Sequence, residues 1–351
     1  MKNNSPFPCP PLLALFQKRF DGDDALLHLA SLRFKEAGLG TEFYAVTPRE
    51  LDWLLKFKPK PETPAVAHLR RDINLFEEQG RDLVMDFALK FKDRIFGMVI
   101  HDQAEITTRF DDYLDALHEI ESRSKEVPGS PYLFVEYAAG LEPDFFIEIF
   151  KAIQDLEHVS ACIDIGHIGI WQARSAYSRN HPGRDVCAIT PNDPELPEVI
   201  RDAQKAVDSG LDAVLNVIQT LGRLEKPLHF HLHDGHPLST FSPFGVSDHL
   251  SFLVEIPIPF EYKGRRSLDP MFGPSGLSRI VTESLQLLGP DRVSFTLEIH
   301  PAEGRLPLAN ASHLFNHWRN KTNAERINYW LSILAQNHKL LNEACKKVPS
   351  Q

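Results

Sequence analysis

The sequence is short of the features that mark several large classes of protein. Basic charge is the first. Lys and Arg number 38 against 48 Asp and Glu, a formal net charge of -10. A nucleic-acid footprint needs a basic face, so this balance speaks against one. Cysteine is scarce as well. Cys9, Cys162, Cys187 and Cys345 are scattered, with no CxxC pair. That argues against a disulfide scaffold or a structural zinc site and fits reduced thiols in a cytosol. No apolar run approaches the length of a membrane span. Near the start, Lys2 and four prolines precede a short apolar run over 12–16, and no small-residue cleavage site follows. This does not read as a secretory signal, and a cytoplasmic protein is expected.

What is present is a chain of 351 residues with ordinary apolar and charged fractions. It is long enough for one large α/β domain or two smaller ones. Strand-like runs alternate with amphipathic stretches, the signature of repeated βα units around a parallel sheet. Eight candidate strands fall at 26–31 (which could equally be part of a helix), 42–46, 65–70, 95–101, 132–137, 160–166, 228–234 and 293–300. Helices are predicted over 48–57, 74–91, 107–124, 144–156, 197–224 (long enough for two), 275–288 and 323–347. Two long loops, 171–196 and 235–273, follow the sixth and seventh strands. The expectation is a single α/β (β/α)₈ TIM barrel over 1–351, with its core over about 26–318 and a C-terminal helical extension over about 319–347.

The strand ends carry the chemistry. Phe134-Val135-Glu136, Cys162-Ile163-Asp164-Ile165-Gly166-His167, His229-Phe230-His231-Leu232-His233-Asp234 and Phe295-Thr296-Leu297-Glu298-Ile299-His300 each run from apolar residues into a polar, metal-competent one. In a (β/α)₈ barrel the C-terminal strand ends converge on one mouth. Glu136, Asp164, His231 and Glu298 arriving together would form an oxygen-rich divalent metal site. Taken singly, each has a plainer reading. Glu136 and Glu298 could be ion-paired, and Asp164 could cap a helix with His167 in its first turn. The alternating His229, His231 and His233 share one strand face. His231 is the expected metal ligand, while His233 and Asp234 sit nearer the rim, where substrate binds. His68 and His101 end the third and fourth strands, as substrate hydrogen-bonders or further ligands. Asp248-His249 lies in a loop.

This pattern resembles the xylose-isomerase-like TIM barrels, which include sugar isomerases, ketose 3-epimerases, inosose dehydratases and endonuclease IV-type enzymes. The likeness spans His68 to His300 and rests on short spaced motifs. By resemblance to the epimerases, Glu136, Asp164, His231 and Glu298 would hold one Mn²⁺, Mg²⁺ or Co²⁺, and Glu136 and Glu298 would also move protons at a sugar carbon through an enediolate. His167 would bind a substrate hydroxyl. The expected function is therefore a divalent-metal-dependent isomerase or epimerase of a sugar, sugar phosphate or polyol. One departure is that the Arg these epimerases carry after the metal His has no counterpart in Asp234-Gly235-His236-Pro237. Resemblance to the endonuclease IV type implies instead several Zn²⁺ ions, with His68, His101, His167, Asp248 and His249 as additional ligands. There the usual Asp-x-His is replaced by adjacent Asp248-His249. A small-molecule substrate is expected, with no membrane or nucleic-acid partner, and pairing into a homo-oligomer is compatible with such barrels.

Overall fold

The computed structural model describes residues 10–16, 24–238, 247–299 and 323–348. In chain order the elements are β1 (Leu12–Phe16), α1 (Asp24–Ala37), β2 (Gly40–Ala45), α2 (Pro48–Leu54), β3 (Ala65–Leu69), α3 (Glu78–Phe91), β4 (Gly97–His101), α4 (Phe110–Lys125), β5 (Tyr132–Glu136), α5 (Pro143–Ala152) and β6 (Val159–Asp164). There follow α6 (Ile165–Asn180), α7 (Leu196–Val207), α8 (Gly210–Gly222), β7 (Leu228–Leu232), β8 (Asp234–His236), β9 (Ser247–Leu250), β10 (Ile256–Tyr262), β11 (Arg265–Leu268), α9 (Gly273–Leu288), β12 (Val293–Leu297) and α10 (Asn323–Lys346).

β1 to β7 and β12 form a closed barrel in the order β1-β12-β7-β6-β5-β4-β3-β2. Every pairing in it is parallel. The sequence explains why. β3, β6, β7 and β12 are buried at every position, as strands covered on both faces must be. Their apolar side chains join those of the surrounding helices in one core. Register then aligns the chemistry: His101 lies opposite Glu136, Asp164 opposite His231, and His231 opposite Thr296. No described helix is long and apolar enough to cross a membrane.

Local signals hold the connections. Thr47 caps α2 by accepting the Glu50 N–H at 3.2 Å, while the Glu50 carboxylate reaches back to the Val46 N–H at 2.7 Å. This is close to the reciprocal arrangement of a capping box. α6 starts directly off β6, with Asp164 as its N-cap.

Three expectations are corrected. Residues 26–31 are not the first strand. They lie in α1, where Leu27, Ala30 and Phe34 are buried at helical spacing. The first strand is the short run at Leu12–Phe16, so the barrel begins before residue 26. The stretch 171–196 is not a loop throughout, because α6 continues to Asn180. The described residues of 235–273 are not loop throughout but include two antiparallel pairs, β8 with β9 and β10 with β11. The β10–β11 pair builds a second, smaller core with α6 and α7 that includes Tyr177, Ile200, Ile258 and Phe260. The C-terminal extension is helical, and α10 packs against α9 and α1.

Candidate metal centre

The barrel mouth gathers eight of the expected site residues: His68, His101, Glu136, Asp164, His167, His231, His249 and Glu298. At its middle, ligand atoms of Glu136, Asp164, His231 and Glu298 all lie within 4.8 Å of one another, and all four residues are buried. Nδ1 of His231 stands 3.1 Å from Oε1 of Glu136 and 3.0 Å from Oε2 of Glu298. On the other side of Glu136, Oε2 is 3.2 Å from Nε2 of His68 and 3.2 Å from Nε2 of His101. Asp164 faces a third grouping with His167, His233 and His249. Glu136 is thus shared by two clusters and Asp164 by two.

Outer hydrogen bonds decide what the inward nitrogens are. Nδ1 of His68 donates to the Leu69 carbonyl at 3.0 Å, which leaves Nε2 of the neutral ring as a lone pair facing Glu136. Nε2 of His231 donates to Oε1 of Glu42 at 2.9 Å, which turns Nδ1 toward two carboxylates, as a lone pair whenever the ring is neutral. Histidine ligands of metals are typically held this way, by a carboxylate or carbonyl behind the ring. His231 Nδ1 and Glu136 Oε2 are buried and make no hydrogen bond of acceptable angle. Acceptors converging in a dry site repel unless a cation, a proton or a metal, sits among them. The residues present therefore fit a divalent metal.

The electrostatics draw a cation, a proton or a metal ion, to the same place. Burial alone would raise the carboxyl pKa values, yet each carboxylate lies below its ordinary range. His101 and His231 hold Glu136 well below it, His167 and His233 lower Asp164, and His249 and His231 hold Glu298 well below it. Burial opposes protonation of His68, but Glu136 outweighs it and lifts the imidazole to about 9. His231 is likewise raised, against burial, by Cys162, Glu42, Glu136 and Glu298. Three ionised carboxylates in one buried mouth draw positive charge into it.

Asp164 carries two tasks at once. Oδ1 accepts the His167 N–H of its own helix at 2.8 Å, and Nε2 of His233 lies 2.9 Å and 3.0 Å from its two oxygens. Nδ1 of His233 accepts the His249 N–H at 2.8 Å, so Nε2 carries the proton and donates it to Asp164. His233, expected at the substrate, is fully buried and orients Asp164 instead. Gly166 makes room for it: a Cβ there would stand 2.0 Å from Cε1 of His233. His249 reaches the mouth from a strained backbone with φ 59°, its Nε2 3.1 Å from Oε1 of Glu298. Left-handed non-glycine residues are costly and cluster at working sites. The side chain of Asp248, and His300, lie outside the described residues.

Asp234 is buried too. Its oxygens accept the N–H groups of Gly235, Phe272 and Gly273, so it pins the turn that opens α9. Three residues have roles that the sequence reading missed. Asp102 is buried and accepts the N–H groups of Ala138 (2.9 Å) and Ala139, fixing the loop after Glu136. Thr296 and Glu42 lie beneath the metal-competent atoms. Glu42 is the charged residue of an otherwise uncharged strand, which is the signal that could have found it.

No family model matches the sequence, and no curated protein matches it. Among solved structures, a xylose isomerase domain protein from Planctomyces limnophilus aligns over 96% of this chain and 99% of its own, at 8% identity and a TM-score of 0.45. A mandelate oxidase aligns over 95% of this chain and 75% of its own, at 8% identity and a TM-score of 0.39. A soluble mutant of the (S)-mandelate dehydrogenase from Pseudomonas putida does so over 96% and 76%, at 11% identity and a TM-score of 0.38. This chain is an eight-stranded TIM barrel. That statement rests on its own closed parallel sheet, and its chemistry has to be argued from its own residues.

Proposed function

We propose that this chain is a divalent-metal-dependent enzyme whose central ion is held by Glu136, Asp164, His231 and Glu298. The observation that carries it is Nδ1 of His231 turned between two buried carboxylates at 3.0 and 3.1 Å, with Nε2 held behind the ring by Glu42. The reading we place first is isomerisation or epimerisation of a sugar, sugar phosphate or polyol. A divalent ion there would supply the positive charge that acidifies a carbon-bound proton beside a carbonyl. The chain's own residues would do the rest. Glu136 and Glu298, on β5 and just past β12, would remove and return that proton. His101 and His167, the partly exposed histidines of the mouth, would hold substrate hydroxyls.

A second reading, a multinuclear zinc phosphoester hydrolase, is favoured by one specific arrangement. His68 and His101 both meet the second oxygen of Glu136, and Asp164 is flanked by further histidines. Carboxylates shared in this way suit two or more ions acting on one phosphoester. Metal content per chain, measured on protein purified without chelators, tests both. About one Mn, Mg or Co per chain, followed by turnover in a sugar screen, supports the isomerase or epimerase reading. Two or three zinc ions, with phosphoester cleavage lost in His68→Ala, support the hydrolase. No ion after reconstitution sinks the metal-dependent reading as a whole.

A further inference from the structure

We infer that Glu42 is a positioning residue, whose buried carboxylate fixes the ring of His231 so that Nδ1, and not Nε2, is the atom offered to the ion. The inference rests on the metal reading above and concerns a residue of β2 that lies across the barrel from the ligand it controls.

The geometry leaves Glu42 little freedom. It is fully buried in the lumen. Oε2 accepts from Nε2 of His229 at 2.9 Å and from Oγ1 of Thr296 at 2.6 Å. Oε1 accepts from Nε2 of His231 at 2.9 Å. A carboxylate only accepts, so both histidines must present N–H to it. His229 is consistent with this, because its Nδ1 then accepts from the Ser294 hydroxyl at 2.7 Å. With Oε2 occupied twice, the group cannot turn, and Oε1 is dedicated to His231. The proton of the neutral ring is therefore kept on the far side, and the lone pair faces Glu136 and Glu298.

A purely structural origin explains this poorly. Leu13, Val66, Val99, Phe134 and Cys162 of the neighbouring barrel strands form a buried cluster that needs no ionised group. An ionised carboxylate buried beside it is costly unless its position is used. Five groups on three strands (Glu42, His229, His231, Ser294 and Thr296) serve that one orientation.

The test combines ion affinity with the ring nitrogens themselves. Zn²⁺ is the probe, because it is diamagnetic and its affinity can be measured by competition with a chromophoric chelator. In ¹⁵N-histidine-labelled wild type, the signals of His231, identified by their loss in His231→Gln, should show Nε2 protonated and Nδ1 bound to Zn²⁺. Glu42→Leu removes the acceptor and should weaken Zn²⁺ binding by roughly 10–100-fold, the usual cost of losing such an outer partner. Glu42→Gln should restore most of it. Its carbonyl can still accept from His231, while its amide donates to His229, whose ring then donates to Ser294. A ring coordinated through Nε2, or a folded Glu42→Leu with wild-type affinity, overturns the role of Glu42. Should Glu42→Leu not fold, the wild-type nitrogen spectrum decides alone. Wild type that takes up no ion overturns the metal reading itself, a result distinct from binding that does not depend on Glu42.

Discussion

Histidine–carboxylate groups occupy both ends of this barrel, and they are built on opposite plans. At the base, Glu121 accepts the backbone N–H of His158 at 2.7 Å and faces its Nδ1 at 3.1 Å, and the Lys226 ammonium donates to the Ile153 carbonyl at 2.9 Å. Donors meet acceptors there, and each group has its partner. At the mouth the matching is incomplete: Nδ1 of His231 faces the carboxylates of Glu136 and Glu298 and Nε2 of His68 faces Glu136, and neither His231 Nδ1 nor Glu136 Oε2 makes a hydrogen bond. Satisfied buried polar groups hold a fold together, whereas converging unsatisfied ones wait for a ligand. Residue type alone does not separate the two ends. The direction of the hydrogen bonds does.

The sharpest way to break the comparison is to remove charge at the mouth. On the proposed reading, Glu298→Gln and Glu136→Gln should each lower turnover by about 10³-fold or more, since each would cost both an ion ligand and an acid/base group. Divalent binding measured by calorimetry should weaken in step. Turnover that persists unchanged in both variants would end the catalytic reading of the mouth.

A smaller effect is expected from Gly166→Ala. The new Cβ would collide with the His233 ring and push it from Asp164, so that this proposed ion ligand would lose its orienting donor. Ion affinity should fall by roughly 10–100-fold with the barrel intact by circular dichroism. Unchanged affinity would mean that Asp164 needs no positioning. At the base the pattern reverses. His158→Ala keeps the backbone N–H bond to Glu121 but loses the Nδ1 contact, and should lower Tm by a degree or two, as expected for one hydrogen bond worth on the order of 1 kcal/mol. It should leave ion affinity untouched. A loss of affinity there would show that the two ends are coupled.

The sequence made the outer plan of this molecule readable and hid part of the inner one. Strand ends such as Phe134-Val135-Glu136 could be read because apolar runs that stop in a charge leave a local trace. The first strand left no such trace, since Leu12–Phe16 is short, preceded by prolines and ends in no polar, metal-competent residue. Residues 26–31 looked strand-like because a short apolar run does not declare its period, and only packing of the Leu27 face resolved it. Glu42 was hidden by a boundary. Starting the second strand at residue 42 makes it a turn residue, whereas starting it at Gly40 puts a carboxylate inside the lumen. The role of His233 depends on the His249 N–H, sixteen residues away, and no local pattern encodes that contact.

The base offers the finest test, through Lys226. Burial pushes its ammonium from the ordinary 10.5 down to about 8, against the pull of Glu121 and Asp155. Below pH 8 the group is protonated in both folded and unfolded chains, and the folded chain bears the full cost of the buried charge. Between pH 8 and 10.5 the unfolded chain binds more protons, so stability from this site rises with pH. Above 10.5 the cost is gone. Lys226→Met removes the titration. The Tm of wild type minus that of Lys226→Met should therefore increase between pH 7.5 and 10.5, by a few degrees, on the order of 1 kcal/mol once solvent screening is allowed for. A flat difference would mean that the ammonium is better solvated than its hydrogen bond to Ile153 implies. Zn²⁺ affinity of the two proteins at pH 7.5 should be equal, because a polar group whose needs are met at the base has nothing to offer an ion at the mouth.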